Sequence, residues 1–206
     1  MKKFFTVVPL QKPGQLNPQL YRAVGNTRLQ TQRETCFPIL TAVNGHALPG
    51  EDFRLIAVET DTQDSRYNLG LLRAELEQLC AEKGLVCSRS VEAVPVPVDE
   101  QVSTHVATFQ KLIDLVEDDD ELFACMTFGT KPLSTAVQMA VQYAYRVKRN
   151  ASISCIVYGL LDWSVKPPVP YVYDMTALIQ LDELVRVLAD RGVTNPKETI
   201  DRILAL

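Results

Sequence analysis

The sequence predicts an α/β fold built on a mainly parallel sheet with helices on both faces. Three observations predict it. Apolar, β-rich runs at Phe4–Leu10, Phe53–Val58, Leu122–Thr127 and Ile153–Leu160 have the pattern of strands buried on both sides. Segments of helical period separate most of these runs, as βαβ units require. A chain of 206 residues, 47% hydrophobic and 22% charged, is long and apolar enough to bury such a sheet.

Taken in order, the first strand runs from Phe4 to Leu10 and is broken by Lys12-Pro13-Gly14. Residues 15 to 50 read as irregular, punctuated by Pro18, Gly25, Pro38, Gly45 and Pro49, with one short helix near Gln19–Val24. Phe53–Val58 is the second strand. Asn68 is placed to cap a helix reaching Lys83, with Leu69, Leu72, Leu76 and Leu79 on one face and Gly84 as its stop. Val86–Val98 reads as a strand and Glu100–Val116 as a helix. The acidic run Glu117–Glu121 reads as a solvated turn. After strand Leu122–Thr127 come helix Lys131–Val147, strand Ile153–Leu160 and the proline-rich loop Lys166–Pro170. A short strand at Tyr171–Tyr173 and a helix at Thr176–Asp190, with Asp174 as its cap, follow. Residues 1–190 form the predicted domain; 191–206 read as a C-terminal helical extension or the start of a linker.

The bulk numbers exclude several functions. A formal charge of −4 argues against a broad surface for duplex nucleic acid. Five cysteines, Cys36, Cys80, Cys87, Cys125 and Cys155, are an odd number without C-x-x-C spacing and read as thiols in a reducing cytoplasm. Only His46 and His105 could join them, so no metal site is expected. Pro9 and Pro13 end the first apolar run too early for a signal peptide, and no window is long enough for a membrane span.

One segment carries chemistry. The strand ending at Thr127 runs into Phe128-Gly129-Thr130-Lys131-Pro132, which opens a long helix. The first N–H groups of a helix are unpaired and carry partial positive charge, which makes them an anion site. Gly129 admits a ligand close to the backbone, the Thr130 hydroxyl can cap, and Lys131 adds a full charge at a place the helix dipole disfavours. In a parallel sheet, ligands bind beyond the carboxyl ends of strands where the strand order reverses. If the strand at 4–10 neighbours the one at 122–127, then Leu10, Gln11 and Lys12 face Thr127, Phe128, Gly129, Thr130 and Lys131 across one crevice. No G-x-G-x-x-G, P-loop or G-x-S-x-G motif occurs, and the two histidines, His105 in a helix and His46 in a loop, offer no triad.

The order of these features resembles the CARF domain, the CRISPR-associated Rossmann-like fold that senses cyclic oligoadenylates. The likeness is strongest from Glu121 to Asp190: the Thr127–Lys131 turn, the helix after it, Val157-Tyr158-Gly159 closing the next strand, and Tyr173–Leu178 opening a helix. It is similar to the subfamily with an Asp-x-Thr-His-Gly motif, with Cys125 in place of the Asp and Phe128 in place of the His. The resemblance implies a two-fold homodimer that binds one cyclic tetra- or hexa-adenylate at its interface in type III CRISPR antiviral signalling. Residues 10–12 and 127–131 would hold the ligand, without a cofactor. It also implies, as an alternative, a metal-independent ring nuclease in which a ribose 2′-hydroxyl attacks the adjacent phosphate, leaving a 2′,3′-cyclic phosphate, with Lys131 stabilising charge. No R-x(4–6)-H motif of a HEPN ribonuclease occurs. Two arrangements stay open: a stand-alone domain, or the sensor part of a larger effector with a further C-terminal domain.

Overall fold

Alternating burial organises the first strand, and through it the whole sheet. Strand β1 (Lys2–Val7) sends Phe4 to one apolar core and Phe5 and Val7 to the other, and all three are at most 1% exposed. The computed structural model describes residues 1–205. Six further strands follow: β2 (Arg22–Val24), β3 (Phe53–Thr60), β4 (Val91–Val96), β5 (Glu121–Cys125), β6 (Ser152–Asp162) and β7 (Val169–Asp174). Helices are α1 (Ile39–His46), α2 (Gln63–Lys83), α3 (Val102–Ile113), α4 (Lys131–Val147), α5 (Thr176–Asp190) and α6 (Pro196–Leu204).

The strands form one sheet in the order β2-β7-β6-β5-β1-β3-β4, parallel throughout except for the antiparallel β6–β7 pair. Helices α1 and α2 cover one face, where Phe4 stacks on Phe123 at 4.4 Å and meets Phe53 edge-on at 5.5 Å. Helices α3, α4 and α5 supply Leu112, Val137 and Ile179 to the other face. Each fully buried phenylalanine is worth roughly 1.5–3 kcal/mol of apolar transfer. Helix α6 buries no residue.

The α/β class, the mainly parallel sheet and the bounds of α4 and α5 agree with the sequence reading. Several expectations are corrected. No helix forms near Gln19–Val24: Gln19 bridges Thr35, and Arg22–Val24 pairs with β7 as an edge strand. Residues 39–46 are helical, so His46 ends a helix rather than lying in a loop; the Asn44-Gly45 pair masked it. Gly45 is there because Arg28 presses on it, a Cβ at 45 falling 2.0 Å from the Arg28 carbonyl oxygen. Thr62, not Asn68, caps α2, its side chain accepting from Ser65 N. Gly84 closes that helix at φ +63°, as expected. Strand β1 stops at Val7 and leaves Leu10 exposed. The acidic turn is not wholly solvated either. Asp120 is 1% exposed and accepts the fully buried Lys3 ammonium at 2.7 Å, which also reaches Glu117 at 2.9 Å and the Leu115 carbonyl at 2.8 Å.

Candidate ligand-binding crevice

Apart from the edge strand β2, the chain lays down β1, β3 and β4 outward in one direction, then returns to place β5 on the other side of β1. The order therefore reverses between β1 and β5, which pair from Lys2↔Glu121 to Phe5↔Ala124. The crevice expected at such a point lies at their carboxyl ends. There the β1 exit meets the Thr127–Lys131 turn. Gly129, at φ +92°, lies on Val7, the last residue of β1: a Cβ at 129 would stand 2.5 Å from Val7 Cγ1. Only glycine allows both the dihedral and the contact.

Each wall of the crevice is fastened from behind. Asn68, fully buried inside α2, donates to the Pro9 carbonyl at 2.9 Å and the Gln11 carbonyl at 2.8 Å, which holds the β1 exit loop. Thr127 Oγ1 accepts the Gly159 N–H at 2.8 Å and the Cys125 thiol at 3.1 Å, so its hydroxyl locks β5 to β6 rather than capping a helix. Gly159 leaves room for Pro38, whose Cγ would lie 2.4 Å from a Cβ there. Ser134 Oγ donates to the Phe128 carbonyl at 3.1 Å, closing the turn.

Helix α4 starts as its residues require, with Pro132 in the first turn. Its cap differs from expectation: Thr130 has extended backbone but makes no side-chain capping bond, and its buried hydroxyl oxygen has no partner among the described residues. The first helical bond runs from Ser134 N to the Thr130 carbonyl at 3.1 Å, and among the described residues the N–H groups of Gly129, Thr130 and Lys131 have no acceptor. Unpaired donors at a helix start favour anions.

The predicted residues do not all share one surface. Leu10, Gln11, Thr127, Phe128, Gly129 and Thr130 surround one cavity of about 360 Å³. Lys131 is exposed but lines a neighbouring groove of about 450 Å³ between α3 and α4, beside Glu100 and His105. Lys12 is exposed in the exit loop and lines neither. A second cavity, about 330 Å³, adjoins the first and shares Gln11, Thr127 and Phe128 with it. Its remaining wall comes from Cys36, Gly159–Leu161, Trp163 and the strap of chain from Gln11 to Tyr21. A roomier hollow of about 560 Å³ between the end of α2 and Leu85–Ser90 lies at the amino ends of β3 and β4, away from the crevice.

That strap is a consequence of topology. β2 lies at the opposite edge of the sheet from β3 and β4, so residues 8–21 must cross the carboxyl ends of β5 and β6 to reach it. Glu75 of α2 braces it indirectly, accepting from Thr35 Oγ1 and Cys36 N, while Thr35 pairs with Gln19. Burial and the nearby Glu75 carboxylate push the Cys36 thiol up to about 12, so it stays protonated. Burial first, then Cys125, Cys36 and Glu75, push the Tyr21 phenol upward too. Met175, not Asp174, is the N-cap residue of α5; Asp174, one residue earlier, accepts from Thr176 N at 2.9 Å and from Asn26 at 2.7 Å. Burial alone would raise that carboxyl; the hydrogen bonds from Thr176 and Asn26 outweigh it and hold it below the ordinary range.

Sequence reasoning missed Asn68, Trp163 and the strap amides. Two signals were present. Asn68 precedes Leu69 on the apolar side of an amphipathic helix, where a buried amide must find partners. Gln15, Asn17, Gln19 and Tyr21 alternate, as side chains on one face of an extended chain do. No family model matches the chain, and no curated protein matches it.

Proposed function

We propose that this chain is a receptor for a cyclic oligoadenylate, a cyclic tetra- or hexa-adenylate messenger of type III CRISPR defence, bound as one ring across a two-fold homodimer. The observation that carries this reading is the Gly129–Lys131 turn. Unpaired backbone donors at a helix start open beside the β1 exit at the reversal of strand order, where Gly129 leaves the backbone bare. The resemblance from Glu121 to Asp190 supplies the ligand class.

The dimer reading draws on the α3–α4 face, where Val102 is 77% exposed, Val106 50% and Met139 49% around the groove that holds Lys131. Pairing over this face would cover apolar surface and set two copies of Lys131 near the axis, supplying the cations that neither crevice cavity has alone. Sensing is favoured over cleavage because, among the described residues, no His, Asp, Glu or Lys lines either crevice cavity; Glu100, His105 and Lys131 lie in the neighbouring α3–α4 groove.

Calorimetric titration with cyclic tetra- and hexa-adenylate in EDTA tests the reading. One ring per two chains is expected, with the ring recovered intact. Lys131→Ala should weaken binding roughly 10- to 150-fold, the range of a charge-assisted hydrogen bond. Met139→Glu should give monomers with little affinity. A stoichiometry of one ring per chain, or no heat with either ring, overturns the proposal; linear products with cyclic phosphate ends would replace sensor by nuclease.

A further inference from the structure

We infer that the cavity roofed by the strap is a purine nucleobase site, with Trp163 as its stacking surface and the strap amides reading the base edge. The inference deepens the reading above and rests on it for the neighbouring phosphate, though not for the base.

The chemistry of the lining carries the argument. Among the described residues no charged side chain lines this cavity, so it does not suit a phosphate or a cation. Its volume, about 330 Å³, lies at the small end of the roughly 300–1,000 Å³ range of ligand sites, which fits a base better than a whole dinucleotide.

The polar edge offers both senses of hydrogen bond. Among the described residues, the side-chain amides of Gln11 and Gln15 make no bond within the protein. Asn17 and Gln19 use only their amide N–H groups, on the Gln15 carbonyl at 3.5 Å and the Asn17 carbonyl at 3.3 Å, leaving their side-chain oxygens free. Adenine presents an amino donor next to ring-nitrogen acceptors, which requires this mixture.

Flat apolar surface completes the match. Trp163, the sole tryptophan, is 72% exposed after the end of β6 while lining the cavity. A large aromatic left unpacked beside an amide-rich hollow is the arrangement on which bases stack. The connection to the anion site is built in, since Gln11, Thr127 and Phe128 line both cavities. A base in one cavity places its phosphate toward the backbone of Gly129 and Thr130 in the other.

Because Trp163 is the only tryptophan, its fluorescence reports on the site directly. Titration with adenosine 5′-monophosphate should give a saturable change, and ribose 5-phosphate, which keeps the anion and lacks the base, should give none. By calorimetry, Trp163→Ala should lower affinity for the monophosphate about 5- to 150-fold, the range of base–aromatic stacking. Melting should not shift, because the side chain is exposed; Gln15→Ala should act in the same direction. The inference is overturned if ribose 5-phosphate matches the adenylate, or if Trp163→Ala and Gln15→Ala both bind it normally. Cyclic rings bound at full strength by both variants would sink the base site alone, leaving the receptor reading intact. A response to the monophosphate with no response to any ring would do the reverse.

Discussion

Gly129 rests on Val7: a methyl group at 129 would fall 2.5 Å from Val7 Cγ1 and 2.9 Å from its Cβ. This contact joins the turn before α4 to the end of β1 and sets the width of the crevice. Gly129→Ala combines a φ of +92° with that overlap. A residue forced into such a conformation costs of order 1–3 kcal/mol. The denaturation midpoint should fall accordingly, and ring binding should weaken as the turn lifts away from β1. An unchanged midpoint would mean that the turn is free to relocate.

Asn68 serves the crevice from inside α2. Removing its amide leaves the Pro9 and Gln11 carbonyls without their buried donor. Asn68→Leu keeps the bulk and loses both bonds, for an expected loss of about 2 kcal/mol. Amide hydrogen exchange in the 9–15 segment should accelerate more than in the sheet. A uniform change across the chain would contradict the assignment of Asn68 to this loop.

Lys3 and Asp120 form the most deeply buried ion pair, at 2.7 Å with neither side chain more than 1% exposed. Lys3→Met leaves the Asp120 carboxylate only the N-terminal ammonium at 3.4 Å and the Glu117 N–H at 2.7 Å, and should cost up to about 3 kcal/mol; the double change Lys3→Met with Asp120→Leu should recover much of it. A double-mutant cycle in urea measures the coupling. Additive losses would show that the two groups act independently.

His46 gives stability a pH dependence. Burial, then the Arg28 charge, lowers its pKa from the ordinary histidine value, and its Nε2 has no partner beside the Phe123 ring at 4.9 Å. The unfolded chain therefore binds a proton that the folded state refuses. Stability from this residue is complete above about pH 6.5 and is lost as pH falls from there toward the lowered folded value. Urea midpoints between about pH 7.5 and pH 5 should decline less in His46→Leu than in the parent chain. Parallel profiles would assign the slope to other groups.

Most of the sheet was legible because its central strands are apolar on both faces, and no other element buries Phe4 and Phe5 on opposite sides at once. The turn at 127–131 was legible because Gly, Thr and Pro have defined roles at a strand-to-helix junction. What escaped lies between residues 15 and 50. Strand β2 has only three residues, and α1 is eight residues long with Gly45 inside it, so neither shows a full period. The direction of Lys131 was also hidden. Sequence placed it at the helix start, whereas the helix phase that turns Leu133 and Val137 inward points Lys131 into the α3–α4 groove. Buried polar anchors such as Asn68 and Thr127 depend on partners distant in the chain, which local pattern does not encode.

The crossing of residues 8–21 spans four strand spacings, about 19 Å. Fully stretched, that many residues would reach about 46–50 Å. More than half of its contour is thus surplus to the connection and is free to fold into a vault. Related chains could lengthen or trim this vault, and so change which guest it admits, without disturbing the pairing of β1 or β2. The turn proposed to hold the anion joins β5 to α4 and would be untouched by such editing, so in the proposed receptor selectivity and grip sit on separate pieces of chain.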